Sequence, residues 1–232
     1  MTRVITTFSK KGYDLYGKKW LLSFTEHWPA DVKAYIYCDF DLPVIDKNIV
    51  AVDFDRRFPH HKNFIDTVKD ECNQKVIKFS YKSFVMIDQL EKCSEDFLIW
   101  LDGDVETLAT VNVDAITGLC KNDLMACQVE HLVKDKIHIE SGFIVWNLRH
   151  HQRETFTHEL KEYYYNYKLL GMKRPYDGHI IGEIIQNKNI EINDLNKGIV
   201  SSGLQDKPED TFLHPVLKKH FIHKIHRAKY SN

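Results

Sequence analysis

The sequence feature that most constrains the fold is an apolar run that leads directly into two acidic residues. The run Phe97-Leu-Ile-Trp-Leu101 is rich in residues that favour strands, and Asp102-Gly-Asp104 follows it. A continuous apolar run bounded by polar residues is typical of a strand covered on both faces, as in a parallel sheet. The two carboxylates then lie at the carboxyl end of the strand, which is the edge where open α/β sheets bind ligands. The sequence therefore predicts an α/β domain with a polar site at that edge.

The chemistry of the two aspartates favours a metal site. Carboxylate oxygens are the ligands that Mg²⁺ and Mn²⁺ prefer, and these cations are commonly shared with substrate phosphates. The chain has two more such pairs, Asp39-Phe-Asp41 and Asp53-Phe-Asp55. There a phenylalanine ring would stand where a phosphate should approach, whereas Gly103 leaves room. We therefore predict Asp102 and Asp104 as metal ligands, with a polar turn after a core strand as the alternative.

Composition limits the classes of protein that remain. The chain has 232 residues, of which 43% are hydrophobic, so it can bury the core of one domain. Its formal charge of -1 gives no argument for a nucleic acid or a membrane surface as partner. Five cysteines with no Cys-x-x-Cys spacing favour free thiols in a reducing compartment. No signal peptide or membrane-spanning segment is recognisable, so we expect a soluble cytoplasmic protein.

A strand followed by a helix is predicted at the amino end. Val4–Phe8 is strand-like, and Gly12–Thr25 has apolar residues at helical spacing. Two further strand-like runs, Ala34–Tyr37 and Ile49–Val52, each lead to one of the other acidic pairs. Strands that alternate with helices predict a parallel sheet, whose carboxyl ends share one edge.

The segment Arg56–Cys72 is polar and rich in lysine and histidine, so a loop followed by an exposed helix is predicted there. His60 and His61 are adjacent and cannot both face one site on a strand. We therefore predict that both histidines are solvated.

The segment Gln74–Leu90 follows the pattern of an amphipathic helix. Lys78 and Lys82 are four residues apart and share one face of that helix. This basic pair either faces solvent or brings positive charge toward the strand that precedes Asp102.

A second informative block is His138–Asn147, which is predicted as a strand. Ser141 and Gly142 are small enough for close approach of the backbone to a ligand. Glu140 either contacts that ligand or faces water at the strand end. The asparagine that ends the strand is predicted to cap a helix over Gln152–Leu169.

These blocks resemble glycosyltransferases of the GT-A fold. Trp100-Leu-Asp-Gly-Asp104 resembles their Asp-x-Asp signature, through which a divalent metal holds the diphosphate of a nucleotide sugar. His138–Asn147 is similar to the segment beneath the donor sugar and acceptor. His214–Lys229 resembles the tail in which one histidine completes the metal shell and basic residues clasp the diphosphate. The resemblance implies Mn²⁺ or Mg²⁺ as cofactor and a nucleotide sugar, with UDP favoured as its nucleotide.

The resemblance also implies a set of site residues. It places the nucleoside at the end of the first strand and the catalytic carboxylates on the acceptor side. The set is Thr6 and Thr7 for the nucleoside; Lys78, Lys82, Gly103, Lys224, Arg227 and Lys229 for the diphosphate; Asp102, Asp104 and His223 for the metal; and Glu140 and Asp177 as catalytic carboxylates. Asp39 is added because it follows a strand that shares the same edge of a parallel sheet, where it could bind ribose or base.

Several alternatives to these roles stay open. Asp177 precedes an apolar helix and could be its N-cap with no chemical role. Glycine often follows the metal-binding histidine in the family, whereas Ile225 and His226 stand there in this chain. The ligand could therefore be another tail histidine, at position 214, 220 or 226.

The basic tail has a predicted behaviour of its own. No acidic residue follows Asp210, and the residues from Lys218 to Lys229 include four lysines and one arginine. Because these cations repel one another, we expect residues 218–232 to be loosely ordered without ligand and to close over a bound diphosphate.

The predicted architecture is one GT-A-like α/β domain over residues 1–232, with a mainly parallel mixed sheet flanked by helices. Residues 1–104 would form a nucleotide-binding half, and residues 105–232 an acceptor half with the closing tail. The predicted function is metal-dependent transfer of a sugar to a hydroxyl of a glycan, lipid or protein, either retaining or inverting. Two alternatives are nucleotidyl transfer and a non-enzymatic nucleic-acid-binding protein that uses the basic tail, with Phe221 and Tyr230 as stacking platforms.

Overall fold

A computed structural model describes residues 1–43, 46–71, 74–131, 136–197, 212 and 214–223. These residues form a seven-stranded sheet and a separate two-stranded sheet. The strands of the large sheet are β1 (Thr2–Phe8), β2 (Lys33–Cys38), β3 (Ile49–Asp53), β4 (Phe97–Leu101), β6 (Met125–His131), β7 (Ile137–Asn147) and β8 (Ile192–Asp194). The small sheet pairs β5 (Val105–Thr107) with β9 (Phe221–His223).

The order of the large sheet is β3-β2-β1-β4-β7-β6-β8. The pairs β1/β2, β2/β3, β1/β4 and β6/β8 are parallel, whereas β7 runs antiparallel to β4 and β6. The predicted mainly parallel mixed sheet is therefore confirmed. The carboxyl ends of β1, β2, β3 and β4 meet at one edge, where the amino-terminal part of β7 joins them.

Helices cover both faces of this sheet, and each face has its own hydrophobic core. The helices are α1 (Lys10–Gly12), α2 (Lys18–His27), α3 (Phe54–Arg57), α4 (His61–Val68), α5 (Gln74–Lys92), α6 (Val113–Thr117), α7 (Arg153–Tyr165), α8 (Asp177–Lys188) and α9 (Pro215–His220), with a π turn at Tyr13–Gly17 and 3₁₀ turns at Gly118–Cys120 and Lys168–Gly171. One core lies between the sheet and α3, α4, α5, α7 and α8, and the other lies between the sheet and α2, α6 and α9. Burial on both faces explains why β4, at the centre of the sheet, is apolar at every position.

Glycine allows α8 to pack directly on β7. A Cβ atom on Gly182 would lie 2.3 Å from the carbonyl oxygen of Ile137, and one on Gly178 would lie 2.2 Å from that of Ile139. Both obstacles are backbone atoms, so a side chain could enter only if the helix moved away from the strand. This contact fixes the position of Asp177, the first residue of α8.

We expect Gly182→Ala to lower the free energy of unfolding by about 1–3 kcal/mol, because overpacking a tight contact costs that much. Urea unfolding of wild type and variant measures the change. Gly118→Ala is the matched control, since no atom lies within 4 Å of a Cβ at that position. Equal loss of stability in both variants would contradict the close-packing argument.

The prediction that His61 is solvated is wrong, although His60 is exposed as expected. His61 is the first residue of α4, is only 3% exposed, and has its Nε2 2.7 Å from the hydroxyl of Ser80. Its ring packs on Phe54 and Tyr81. The adjacent histidines differ because the helix starts between them and turns only the second toward the core.

Burial lowers the pKa of His61 to about 4. In the unfolded chain the pKa is about 6.5, so the unfolded state takes up the proton first as the pH falls. We expect the free energy of unfolding to decrease between pH 6.5 and 4 by up to roughly 3 kcal/mol from this residue, and the contribution to be complete above pH 6.5. His179, whose pKa burial also lowers to about 4, adds a change of the same sign.

Urea unfolding of wild type and His61→Asn at pH 7 and pH 5 separates the two histidines. The variant should lose less stability on acidification than wild type. An unchanged pH dependence would mean that His61 does not titrate as described.

The predicted loosely ordered tail is wrong for residues 218–223. Leu217, His220 and Phe221 are buried, and β9 pairs with β5 in the register Val105↔His223. The indole of Trp28 packs on Phe221 at 6.0 Å between ring centroids. The charge pattern suggested loose order, but these apolar side chains secure the segment to the core. Residues 224–232 lie outside the described part of the chain.

Two of the expectations from composition can be compared with the structure. Cys38, Cys93, Cys120 and Cys127 are free, as the spacing of the cysteines predicts, and all four are buried. Cys72 is not among the described residues. No helix in the described ranges has both the length and the apolar character needed to cross a membrane.

Candidate metal centre at the sheet edge

The candidate site lies at the edge where β4 ends and β7 begins its pairing with it. Asp102 follows the last residue of β4, and its backbone N–H donates to the carbonyl of Gly142 over 2.9 Å. The indole N–H of Trp100 donates to Asp102 Oδ1 over 2.6 Å. Trp100 and Asp102 are two residues apart and so share a face of the strand. This hydrogen bond was not predicted from the sequence. The alternation of side chains along a strand is the signal that could have predicted it, since it places residues 100 and 102 on the same face.

An irregularity in β7 brings a second set of groups to the same edge. Cys127 of β6 pairs with Ile144, whereas the next residue, Gln128, pairs with Glu140. Residues 141–143 are therefore extra relative to β6 and bulge out of that ladder. Bulges of this kind redirect side chains and often lie beside active sites. Here the Ser141 carbonyl, which lies in the bulge, accepts from Lys82, and Glu140, the residue before the bulge, lies 4.0 Å from His223.

Asp102, Asp104 and His223 converge at this edge. One ligand atom from each can be chosen so that all lie within 4.8 Å of one another. His223 Nε2 lies 3.1 Å from Asp104 Oδ1 and 3.9 Å from Asp102 Oδ2. The pairing of β9 with β5 holds the histidine directly opposite Val105, the residue after Asp104. The predicted metal-ligand set is thus brought together, although His223 is separated from the aspartates by more than a hundred residues in sequence.

The charges around His223 favour a cation. Burial alone would lower the pKa of the imidazole, but its hydrogen bond to Asp104 and the charges of Asp104, Asp102 and Glu140 raise the pKa above its ordinary value. The acids therefore stabilise positive charge at this position. Two carboxylates and one imidazole are a donor set that suits Mn²⁺ and also accepts Mg²⁺.

Lys82 of α5 is buried at the centre of the site, with 5% exposure. Its ammonium lies 2.8 Å from Asp102 Oδ1 and 3.3 Å from Asp177 Oδ2, and it donates to the Ser141 carbonyl. Burial would lower the pKa of Lys82, but Asp102 and Asp177 raise it above its ordinary value. The lysine is therefore a fixed positive charge that links Asp102 to Asp177 at the amino end of α8.

The two candidate catalytic carboxylates have different surroundings. Asp177 is 5% exposed, and its Oδ2 accepts from Ser141 Oγ over 2.7 Å and forms an ion pair with Lys82. Tyr176 holds the N-cap position of α8, so the alternative of Asp177 as N-cap is wrong. Glu140 Oε1 accepts from the N–H of Gly142 over 2.9 Å and lies 4.0 Å from His223 Nδ1.

Gly142 is required for His223 to reach its position. A Cβ there would lie 2.7 Å from His223 Cε1, 3.0 Å from its Nδ1 and 3.1 Å from Glu140 Oε1. We expect Gly142→Ala to keep the fold but to weaken Mn²⁺ binding about 10–100-fold, the loss typical when the orientation of a ligand is disturbed. A Mn²⁺ titration followed by electron paramagnetic resonance measures this.

Gly171→Ala is the control for that substitution, because a Cβ at this glycine would meet open space. Unchanged Mn²⁺ affinity in Gly142→Ala would show that His223 can move without loss and would remove it from the ligand set.

Other residues of the predicted set lie around this centre or away from it. Thr6 is fully buried, so any contact with a nucleotide would have to use its backbone. Thr7 donates its hydroxyl to the Tyr37 carbonyl over 2.8 Å. Asp39 is exposed directly after β2, on the same sheet edge as Asp102. Lys78 is exposed and makes no hydrogen bond or ion pair within the described ranges, so of the basic pair only Lys82 enters the site.

Gly103 packs closely against two aromatic rings. A Cβ on Gly103 would lie 2.7 Å from the ring of Phe8 and 3.1 Å from that of Tyr16. The missing side chain thus makes room for these rings, and contact of Gly103 with a diphosphate stays a prediction. Tyr16 belongs to the π turn, a feature that often occurs near functional sites. Lys224, Arg227 and Lys229 lie outside the described residues.

No protein-family model matches this chain, and no curated protein sequence matches it. Solved structures do match. The WbbM bifunctional glycosyltransferase in its apo form has a TM-score of 0.54 and 13% identity, over 84% of this chain and 38% of that chain. Apo mouse xyloside xylosyltransferase 1 has a TM-score of 0.55 and 8% identity, over 84% of this chain and 85% of that chain.

A third structure, the apo form of the glycosyltransferase GlyE of Streptococcus pneumoniae TIGR4, has a TM-score of 0.50 and 12% identity, over 82% of this chain and 44% of that chain. This chain spans less than half the length of WbbM and GlyE but most of the length of the mouse enzyme. At such identities the similarity concerns architecture alone. The chain therefore has the α/β fold of these glycosyltransferases, a GT-A-like domain with a mainly parallel mixed sheet.

Proposed function

We propose that this chain is a metal-dependent glycosyltransferase that moves a sugar from a nucleoside-diphosphate donor, with UDP-sugars first, to an acceptor hydroxyl. The observation that carries the proposal is the convergence of Asp102, Asp104 and His223 at the ligand edge of the sheet. The fold of the structural neighbours agrees with it. A hydroxyl of a glycan, lipid or protein is the acceptor class.

In this proposal Asp102, Asp104 and His223 hold Mn²⁺ or Mg²⁺. When bound, the cation acts as a Lewis acid that neutralises the charge developing on the diphosphate leaving group, a contribution of several kcal/mol. His223 must give up its proton to act as a ligand, so metal binding and proton release are linked. The nucleoside would lie along the edge formed by β1 and β2, within reach of Thr7 and Asp39. The basic residues Lys224, Arg227 and Lys229 are proposed to contact the diphosphate.

The carboxylates beyond the metal set divide into two roles. Asp177 is engaged by Lys82 and Ser141 through the same oxygen, so we assign it to positioning the lysine and the bulge of β7. Glu140 uses Oε1 for the N–H of Gly142, and its Oε2 has no hydrogen bond within the described ranges. That oxygen can accept a hydrogen bond from a sugar hydroxyl. In an inverting enzyme it would also act as the general base for the acceptor.

The two other functions considered have less support. Of the two platforms for stacking nucleic-acid bases, Phe221 is only 2% exposed and packs on Trp28 and Phe143, and Tyr230 lies outside the described residues. Nucleotidyl transfer usually relies on a glycine-rich phosphate loop. The segment in question, Phe8–Gly12, instead starts a helix whose N-cap hydroxyl, that of Ser9, accepts from the N–H of Gly12.

A panel of nucleotide sugars incubated with the protein, with Mn²⁺ or with EDTA, tests the proposed function. Glycosyl transfer or donor hydrolysis releases a nucleoside diphosphate, and we expect that product only with metal and most strongly with a UDP-sugar. Release of pyrophosphate in a parallel panel of nucleoside triphosphates and sugar phosphates would identify nucleotidyl transfer. Binding to single-stranded nucleic acid that falls steeply with salt, with no turnover of any donor, would identify the nucleic-acid function.

A further inference from the structure

A second group of potential metal ligands lies at the opposite edge of the sheet. His150, His151 and Glu191 each offer one ligand atom, and these atoms lie within 4.8 Å of one another. The two histidines follow Asn147, which pairs with Phe97 at the start of β4, whereas Asp102 follows the end of β4. The group is therefore separate from the centre formed by Asp102, Asp104 and His223.

The backbone on both sides of this group is fixed by hydrogen bonds. The turn after β7 is held by the N–H of Arg149, which donates to Asn147 Oδ1 over 3.1 Å, and by the N–H of His150, which donates to the Asn147 carbonyl over 3.2 Å. Asn147 thus closes this turn and does not cap the following helix as predicted. Adjacent side chains point apart on a strand, but a turn allows His150 and His151 to approach the same point.

Gln152 joins the turn to the segment that carries Glu191. Its Oε1 accepts from the N–H of Glu191 over 2.8 Å, and its Nε2 donates to the Asn189 carbonyl over 3.1 Å. The carbonyl of Glu191 accepts from the N–H of Leu124 over 3.0 Å. Hydrogen bonds therefore fix the backbone on both sides of the three side chains. Such support is what holds ligands in a productive geometry.

The three side chains lie close enough together to share one ion. The His150 side chain is 7% exposed, and its Nε2 lies 2.9 Å from Glu191 Oε2. His151 is exposed, its ring centroid lies 4.4 Å from that of His150, and it makes no hydrogen bond or ion pair with the described part of the chain. The ring nitrogens of His151 are thus available to a ligand, whereas His150 and Glu191 already contact each other.

We propose that His150, His151 and Glu191 bind Zn²⁺ at this second site. Two imidazoles and one carboxylate with an open fourth position are a donor set typical of zinc, while Mg²⁺ prefers oxygen ligands alone. The ion would connect the end of β7 to the end of α8, the two elements that carry Glu140 and Asp177 at their other ends. Zinc bound here would therefore stabilise the fold without taking part in chemistry at the first centre.

Calorimetric titration of tag-free protein with Zn²⁺ tests this inference. The titration is made in an Asp102→Asn/Asp104→Asn background, so that zinc at the first centre does not contribute. We expect one Zn²⁺ per chain, an affinity at least about tenfold lower after His151→Ala or Glu191→Gln, and unchanged affinity after His158→Ala. His158 is the matched control because it is an exposed histidine in the groove beside the site.

Two further readouts separate a zinc site from a structural contact. Co²⁺ in place of Zn²⁺ should give visible absorption that His151→Ala removes, and saturating Zn²⁺ should raise the melting temperature of the background protein by several degrees but not that of its His151→Ala form. Equal Zn²⁺ affinity with and without His151, or no Zn²⁺ binding in the background protein, would overturn the proposal. Neither result depends on whether the first centre transfers sugars.

Discussion

Replacing Asp102 or Asp104 with asparagine is expected to abolish metal-dependent donor binding while the fold is kept. Both carboxylates lie at the open edge of the sheet and are partly exposed, and asparagine at position 102 keeps an oxygen that can accept from Trp100 and Lys82. Each substitution removes one anionic ligand from a set of three. Because disturbing even an outer-shell partner costs about 10–100-fold in metal affinity, the loss of a ligand should exceed about 100-fold. Mn²⁺ titrations followed by electron paramagnetic resonance measure it directly.

Asp41→Asn is the matched control for these variants, since it belongs to another Asp-x-Asp pair and is exposed. It should bind Mn²⁺ as wild type does. Wild-type Mn²⁺ affinity in both Asp102→Asn and Asp104→Asn would remove these residues from the metal centre.

Lys82→Met is expected to destabilise the protein strongly and also to stop transfer. The substitution leaves Asp102 and Asp177 without their shared cation, and Asp177 is almost fully buried. Removing one partner of a buried ion pair typically costs about 3–5 kcal/mol, because the remaining charge has no compensation. Urea unfolding should therefore show a decrease of that order in the free energy of unfolding.

The test of this mechanism is the double variant Lys82→Met/Asp177→Asn. If the unpaired charge of Asp177 causes the instability, the second substitution should restore part of the lost free energy, as in a double-mutant cycle. Lys78→Met, one turn earlier on the exposed face of α5, is the control for stability and should have little effect. Equal effects of Lys78→Met and Lys82→Met would contradict the account of the buried lysine.

The residues of the candidate metal site could be predicted from the sequence only as far as local pattern reaches. The apolar run into Asp102-Gly-Asp104 defines strand, edge and acidic chemistry within eight residues, and the structure has all three. His223 could be named only from the resemblance to the family, because no local pattern relates it to Asp104. In the structure, the pairing of β5 with β9 brings His223 next to Asp104.

Other features depend on tertiary packing that the sequence does not encode locally. The bulge at residues 141–143 arises from a shift of register within the pairing of β7 with β6, so it is not readable from the alternation of β7 alone. His61 differs from His60 only through the start of α4. Gly103 has the residue type expected for ligand approach, but the rings of Phe8 and Tyr16 fill the space beside it. In each case the local structure depends on a neighbouring residue that is distant in sequence or belongs to an adjacent element.

The central claim is that Asp102, Asp104 and His223 form a metal centre for a nucleotide sugar. Calorimetric titration of the wild-type protein with UDP, with Mn²⁺ and again with EDTA, tests it most directly. We predict binding with Mn²⁺, no detectable binding with EDTA, and loss of the Mn²⁺-dependent binding in Asp102→Asn and His223→Ala. UDP binding of equal strength with EDTA, or Mn²⁺-dependent binding that survives both substitutions, would contradict the claim.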